Sequence, residues 1–302
     1  MKTSPRIVLP RRRFLRTLSA SVPLAAFGAS CRAEQTVPAP PPDPPRTVRD
    51  RLWLWGHEAG SHNGQFGIKQ TSRITPVEAA VYLGIPNLLL IRYDGRPAFP
   101  FDQYAIPFRA MKRVVWSLTG AGGVTSDEER KHVLDLAAKM PNLVGFIMDD
   151  FFQNTGQAAL SVEDLQNIRK RLTIAGRKRD LWVVLYAHQL GLPLQAHLEL
   201  CDKITFWTWK APDLKNLEAH FAAAEKLAPK AGKILGCYLW NYGQSRPMPL
   251  DLMKVQCDLG LRWLREGRIE GMIFLASCIC DLELETVDWT RKWIAEVGDQ
   301  AL

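Results

Sequence analysis

Short apolar runs alternate with longer amphipathic stretches from Arg51 to Val297, and this alternation limits the possible folds more than any other feature. The apolar runs are nearly continuous, which is typical of parallel strands buried on both faces. The stretches between them are long enough for the helical crossovers that parallel strands require. We predict eight strands, at 52–55, 87–92, 113–118, 143–148, 180–186, 203–207, 233–239 and 271–276.

Several of the intervening stretches begin with a helix start signal. Thr75 precedes Pro76 and is followed three residues later by Glu78, which is the spacing of a capping box. Ser126 and Glu129 show the same spacing. We predict helices at 75–83, 125–140, 161–175, 192–200, 212–227, 250–266 and 283–297, with an irregular, partly helical crossover at 102–112.

Eight strand–helix units predict an α/β protein whose single folded domain, residues 51–298, is a (β/α)₈ TIM barrel, a fold of roughly 250 residues. An open doubly wound sheet is the alternative. Such a sheet normally carries a glycine-rich phosphate loop after its first strand. Residues 55–60 read Trp-Gly-His-Glu-Ala-Gly and lack that pattern, so we favour the barrel and expect no cofactor.

The first 31 residues have the layout of an export signal. They contain six basic and no acidic side chains, and an apolar run at 18–27 that is shorter than the roughly 20 residues of a membrane span. Residues 10–16 read Pro-Arg-Arg-Arg-Phe-Leu-Arg and resemble the twin-arginine signal, although Pro10 stands where Ser or Thr is usual. The resemblance implies the twin-arginine export machinery as a partner. A basic cytosolic tail is the alternative.

Residues 28–31 read Gly-Ala-Ser-Cys and resemble a lipobox, in which Cys31 would receive a lipid anchor. Gly28 departs from that pattern, and ordinary cleavage nearby is the alternative. Residues 32–50 are rich in proline, which predicts a semi-rigid linker. We therefore expect an exported protein, either periplasmic or held at a membrane by lipidation.

The remainder of the chain carries 33 basic and 31 acidic side chains, so we expect no nucleic-acid partner. Five cysteines remain after Cys31, an odd number scattered through apolar surroundings. This pattern does not resemble a disulfide framework. We predict buried free thiols.

Polar and aromatic residues accumulate after the predicted strands, where the active site of a (β/α)₈ barrel lies, whereas the opposite loops are plainer. Aromatic rings stack on the C–H faces of sugars, and polar side chains bind their hydroxyls. The sequence therefore predicts a carbohydrate ligand. The candidate binding residues are His57, Arg92, Asp94, Tyr186, His188, Trp207, Trp209, Trp240, Asn241, Tyr242 and Asp281.

Three carboxylic acids are the candidate catalytic residues. Asp149 and Asp150 follow the fourth strand, and two carboxylates so close drive their pKa values apart, which suits acid–base catalysis. Glu58, after the first strand, is the candidate proton donor, since glycoside cleavage uses two carboxyl groups. The alternatives are that one aspartate caps the following loop and that Glu58 forms a loop salt bridge.

From Arg51 to Val297 the chain resembles, in layout, the secreted TIM-barrel glycoside hydrolases. The strand ends Asp149-Asp150-Phe151, Trp207-x-Trp209 and Tyr238-x-Trp240-Asn241-Tyr242 carry the resemblance. It implies a hydrolase, but the Asp-x-x-Asp-x-Asp-x-Glu pattern of chitinase-like enzymes is absent. A non-catalytic glycan-binding barrel therefore remains open. A divalent-metal sugar enzyme also remains open, with a site drawn from His57, Glu58, Asp149 and His188.

Overall fold

The computed structural model describes residues 47–302, and its centre is a closed barrel of parallel strands. Strand β1 is hydrogen-bonded to β2 on one side and to β8 on the other, which closes the barrel. The predicted single-domain (β/α)₈ barrel is confirmed. The eight strands are β1 Leu52–Gly56, β2 Asn87–Leu90, β3 Arg113–Thr119, β4 Leu143–Met148, β5 Asp180–Tyr186, β6 Lys203–Trp207, β7 Gly232–Tyr238 and β8 Gly271–Leu275.

Seven α-helices surround the barrel within the described residues. They are α1 Pro76–Leu83, α2 Asp127–Lys139, α3 Val162–Arg169, α4 Gln195–Leu198, α5 Leu217–Leu227, α6 Leu250–Arg265 and α7 Glu285–Val297. The capping box at Thr75 is present, with the Thr75 hydroxyl accepting from the Glu78 backbone N–H. The crossover from β2 to β3 contains a 3₁₀ turn at Pro107–Ala110, in agreement with the irregular crossover expected there.

Several of the helix predictions differ from the observed structure. Helix α3 ends at Arg169, and the chain then turns through a short antiparallel hairpin of Thr173–Ile174 and Arg177–Lys178. Ala175 and Gly176 both have positive φ in the turn of this hairpin, a conformation that no α-helix accommodates. The stretch predicted as one helix at 212–227 divides into a 3₁₀ helix, Ala211–Asn216, and α5. At the start of α2, Ser126 accepts from the Glu129 N–H, but the Glu129 carboxylate binds Arg92.

Tryptophan rings from different strands pack against one another inside the barrel. Trp53 meets Trp182 edge-on with ring centroids 5.0 Å apart, and Trp55 meets Trp207 in the same way at 5.2 Å. Gly236 leaves the room that the Trp207 ring occupies, since a Cβ atom there would lie 2.1 Å from it. This aromatic core forms the floor beneath the mouth of the barrel.

Residues 47–50, assigned above to the linker, pack on the barrel. Val48 is fully buried, and Thr47 forms a β-bridge with Ala301. The predicted export signal, Cys31 and most of the proline-rich linker lie outside the described residues. All five cysteines in the described part of the chain are buried free thiols. Within residues 47–302 no helix is both long enough and apolar enough to cross a membrane.

Candidate active site at the barrel mouth

Three adjoining cavities lie at the C-terminal ends of the strands, and Asp150 and Trp209 line all of them. Their volumes are about 760 Å³, 480 Å³ and 80 Å³, and they are called here the large cavity, the side cavity and the slot. Ligand sites in proteins are concave and of about 300–1,000 Å³. The first two cavities lie in that range, so the mouth of the barrel is the candidate site.

The Asp150 carboxylate is held in one orientation by two hydrogen bonds. The Tyr186 hydroxyl donates to Oδ1 over 2.7 Å, and the Gly122 backbone N–H donates to Oδ2 over 2.9 Å. Asp150 itself has a φ of 43°, in the left-handed region that non-glycine residues rarely adopt. The turn after β4 thus directs this half-buried carboxylate into the cavities.

Asp149 lies beneath Asp150 and is only 5% exposed. Its Oδ1 accepts the backbone N–H of Asp150 over 2.9 Å, and its side chain lines the slot. Burial raises the pKa of Asp149 well above the usual value, and the neighbouring Asp150 charge raises it further. The pair therefore combines a buried carboxyl group with a raised pKa, Asp149, and a half-buried one that accepts two hydrogen bonds, Asp150.

The phenols around the pair remain protonated hydrogen-bond donors. Burial raises the pKa of Tyr186 and of Tyr238, and the charges of Asp150 and Asp149 raise both further. Tyr186 also stacks on the exposed ring of His188, with ring centroids 5.3 Å apart. Burial lowers the pKa of His188, as does the Lys210 charge, so this ring favours its neutral form.

Trp209 is the tryptophan at the mouth that keeps an accessible ring. It is half-buried, stacks on Tyr242 at a centroid distance of 6.4 Å and meets Tyr186 edge-on at 6.1 Å. Trp207 is 1% exposed and donates its indole N–H to Thr205. Trp209 is therefore the ring on which a sugar could stack.

Two buried histidines lie in the wall of the slot. The Trp55 indole is a donor only, so Nε2 of His57 accepts from it over 3.0 Å and Nδ1 carries the proton, donating to the Ile91 carbonyl. Both ring nitrogens of His57 are thus engaged within the protein. Burial lowers the pKa of His57 to about 4. His62 bonds the Tyr242 hydroxyl through Nδ1, and burial followed by the proximity of His57 lowers its pKa to about 2.

Arg92 lines the large cavity but is committed to the protein. Its guanidinium donates to the Glu129 carboxylate over 2.7 Å and to the carbonyls of Gly95 and Pro97. It thereby anchors the loop that carries Asp94, whose exposed side chain also lines this cavity. Arg92 therefore fixes the position of this loop at the edge of the cavity and does not offer an unpaired positive charge to a ligand.

Four of the residues predicted from sequence do not line the three cavities: Glu58, Trp240, Asn241 and Asp281. Asp281 accepts the backbone N–H groups of Arg73 and Ile74, and so holds the segment before α1. Trp240 donates its indole N–H to the Phe66 carbonyl. Asn241 donates to the Gln244 side chain. Glu58 instead lies near Tyr104, whose pKa is raised by burial and then by the Glu58 charge.

The remaining predicted residues line at least one cavity. They are His57, Arg92, Asp94, Asp149, Asp150, Tyr186, His188, Trp207, Trp209 and Tyr242. In the part of the chain that the structure describes, no three histidine, cysteine, aspartate or glutamate side chains converge as a metal site would require. The set His57, Glu58, Asp149 and His188 is not brought together.

Two contributors to the site escaped the sequence interpretation. Gly122 acts through its backbone N–H, and the sequence around it gives no sign of a hydrogen bond to Asp150. Glu129 was interpreted as a capping residue because of its spacing from Ser126, yet its carboxylate partners Arg92. Only the placement of the segment after β3 beside the loops after β4 and β2 shows these two roles.

The fold and the site together define a (β/α)₈ barrel whose mouth is acidic and aromatic. No family model matches the chain, and no curated protein matches it. Solved structures with the same fold include a protein assigned as an α-L-fucosidase from Bacteroides thetaiotaomicron, with a TM-score of 0.54 and 12% identity, covering 83% of this chain and 98% of that one.

Two further solved structures share the barrel. One is an inhibitor protein of xylanase and α-amylase in complex with trehalose, with a TM-score of 0.53 and 11% identity, covering 82% of this chain and 98% of that one. The other is a β-D-glucuronidase from Dictyoglomus thermophilum, with a TM-score of 0.52 and 8% identity, covering 84% of this chain and 52% of that one. At these identities the likeness establishes the fold alone.

Proposed function

We propose that the barrel binds a carbohydrate at its mouth and hydrolyses a glycosidic bond there. The observation that carries the proposal is the Asp150 carboxylate, oriented by Tyr186 and Gly122 at the point where the cavities meet and beside the accessible ring of Trp209. Sugar recognition needs an aromatic face beside polar groups. Glycoside cleavage needs, in addition, carboxyl groups next to the bond.

In this proposal the two aspartates have different roles. Asp150 is the ionised carboxylate that stabilises, or attacks, the electron-poor anomeric carbon as the bond breaks. Asp149 favours its protonated form because it is buried, which suits a general acid that gives a proton to the leaving oxygen. Glu58 is the proton donor expected from sequence, but it does not line the cavities that Asp150 lines. The experiment below separates these two candidates.

The test compares Asp150→Asn, Asp149→Asn and Glu58→Gln on panels of aryl glycosides and polysaccharides, with the exposed Asp213→Asn as the matched control. We expect Asp150→Asn and Asp149→Asn each to lower turnover by about a hundredfold or more, since a positioned proton-transfer group contributes about 10²–10⁴-fold. Glu58→Gln and Asp213→Asn should retain activity, with all variants folded by circular dichroism. Full activity in Asp150→Asn would overturn the proposal. Loss of activity in Asp150→Asn and Glu58→Gln together, with full activity in Asp149→Asn, would reassign the proton donor to Glu58.

A non-catalytic glycan-binding barrel is the second candidate, and one observation favours it. The second carboxyl group beside Asp150 is buried in the 80 Å³ slot, a less accessible place than a proton donor usually has. The shared fold does not decide the question, because it occurs in a glucuronidase and in an inhibitor protein alike. This candidate would be favoured if the wild-type protein binds a glycan and forms no product from it after prolonged incubation.

For the N-terminal segment we propose export through the twin-arginine route and lipidation at Cys31, on the strength of residues 10–31. Replacing Arg11 and Arg12 together by lysine should retain the protein in the cytoplasm. Cys31→Ser should release it from the membrane fraction. Unchanged fractionation of both variants would contradict the proposal.

A further inference from the structure

The large cavity and the side cavity meet at Asp150. Both are lined by Gly122, Asp150 and Trp209, so these three residues form a neck between them. The large cavity extends from the neck over the loops that follow β1, β2 and β3. The side cavity extends over the loops that follow β4 and β5. The candidate catalytic carboxylate therefore lies partway along an open cleft, with space on both sides of it.

The sizes of the cavities determine where sugar rings can lie. At 760 Å³ and 480 Å³, each of the two larger cavities falls within the range of about 300–1,000 Å³ that accommodates a complete small-molecule ligand. The slot beneath Asp150 has a volume of only 80 Å³. That is far below the range of about 300–1,000 Å³ found for ligand sites, and too little for a sugar ring. A glycan must therefore lie beside Asp150 rather than enter the barrel end-on.

The charges that line the cleft disfavour an anionic chain. The only arginine or lysine that lines either cavity within the described residues is Arg92, and its guanidinium is already paired with Glu129. His188 favours its neutral form, and its Nε2 is hydrogen-bonded to Asn154. Asp94 and Asp150 add negative charge. Chains of uronic acids or sulfated sugars would meet these like charges. Lys210, whose charge acts on His188, does not line either cavity.

From this geometry we propose that the cleft takes an internal stretch of an uncharged glycan chain, with sugar units on both sides of Asp150, rather than the terminal unit of a chain. This inference rests on the proposed function and specifies its substrate class. It assigns an endo-acting site if the barrel is catalytic, and a chain-binding cleft if it is not.

The experiment measures binding by titration calorimetry for four uncharged oligosaccharide series, namely xylo-, cello-, malto- and N-acetylchito-oligosaccharides, from the monosaccharide to about six units. Oligogalacturonides form the charged comparison. Two variants each obstruct one side of the cleft: Val124→Trp in the large cavity and Gln153→Trp in the side cavity. Both residues are exposed and outside the catalytic set. Val255→Trp, on the outer surface of α6, is the matched control.

We expect affinity in one uncharged series to rise with chain length, and both obstructing variants to weaken binding of its longest member about tenfold or more, which corresponds to about 1.4 kcal/mol. The control should bind as wild type does. If a monosaccharide binds as tightly as the longest chain, if only one variant weakens binding, or if oligogalacturonides bind best, the inference is overturned while the proposed function stands. If no glycan binds at all, the proposed function fails with it.

Discussion

Tyr186 donates a 2.7 Å hydrogen bond to Oδ1 of Asp150 and links the end of β5 to the turn after β4. The bond runs from a half-buried phenol with a raised pKa to a half-buried carboxylate, so its proton stays on Tyr186. Hydrogen bonds with an ionised acceptor are stronger than neutral ones. This contact therefore orients the Asp150 carboxylate at the mouth of the barrel.

Removing the Tyr186 hydroxyl should impair the site without unfolding the barrel. We predict that Tyr186→Phe lowers turnover by about ten- to a hundredfold, since a hydrogen bond to a charged group contributes about 1.5–3 kcal/mol. Tyr82→Phe is the matched control, because its hydroxyl also bonds an aspartate, Asp288, but on the outer surface. Steady-state kinetics check the prediction, and equal rates in wild type and Tyr186→Phe would refute it.

Asp149 should make folding less favourable as pH rises. Its folded-state pKa is raised from 3.8 by burial, so the unfolded chain ionises first, and the stability present at low pH is lost as pH climbs above that value. Asp149→Asn removes this loss and keeps an acceptor for the Asp150 N–H. We predict that, as pH rises from 3.8 to the raised folded-state pKa, the variant gains stability relative to wild type by up to about 1.4 kcal/mol per pH unit. Urea unfolding from pH 4 to pH 8 measures it, and parallel pH profiles would count against a protonated Asp149.

His57 should have the opposite pH dependence. Its folded pKa is about 4 and its unfolded value is 6.5, so the unfolded chain binds the extra proton first and stability falls as pH drops from 6.5 towards 4. We predict a loss of about 2 kcal/mol in wild type between pH 7 and pH 5 from this residue. His57→Gln should lose correspondingly less over the same interval. Identical slopes for the two proteins in urea unfolding would show that His57 is not buried in its neutral form.

Breaking the Arg92–Glu129 pair should be costly, because the Glu129 side chain is only 2% exposed. Arg92→Met leaves that carboxylate without its partner, and such changes at buried pairs cost about 3–5 kcal/mol. Lys131→Met breaks an exposed pair with Asp135 on the same helix and should cost less than about 1 kcal/mol. Thermal unfolding of both variants measures this difference in stability. Equal melting temperatures for Arg92→Met and Lys131→Met would contradict the prediction.

The barrel could be predicted from sequence because parallel strands buried on both faces leave continuous apolar runs, as in Leu143–Met148 and Asp180–Tyr186, whose predicted bounds match the observed strands. The location of the site at the strand ends followed from the same pattern. The helix bounds were less accurate where turn geometry decided them. Gly176, for example, has a positive φ in the hairpin turn that follows α3, and amino-acid composition does not reveal this conformation.

The partners of individual side chains could not be predicted, because they depend on which loops meet. Asp281 follows β8, in the position where barrel enzymes carry catalytic residues, yet its carboxylate accepts two backbone N–H groups before α1. Glu58 follows β1, but the turn that begins there carries it away from the cavities around Asp150. Trp209 and Trp240 look alike in sequence, and only packing leaves one ring accessible and satisfies the other internally.

Glycan binding that depends on Trp209 tests the central claim most directly. The measurement is the binding of wild type, Trp209→Ala and Trp289→Ala to a microarray of uncharged polysaccharide fragments, with Trp289 as a half-buried tryptophan on α7, far from the mouth. We predict that wild type and Trp289→Ala bind the same glycans and that Trp209→Ala loses them. Glycan binding that survives intact in Trp209→Ala would contradict a carbohydrate site at the barrel mouth.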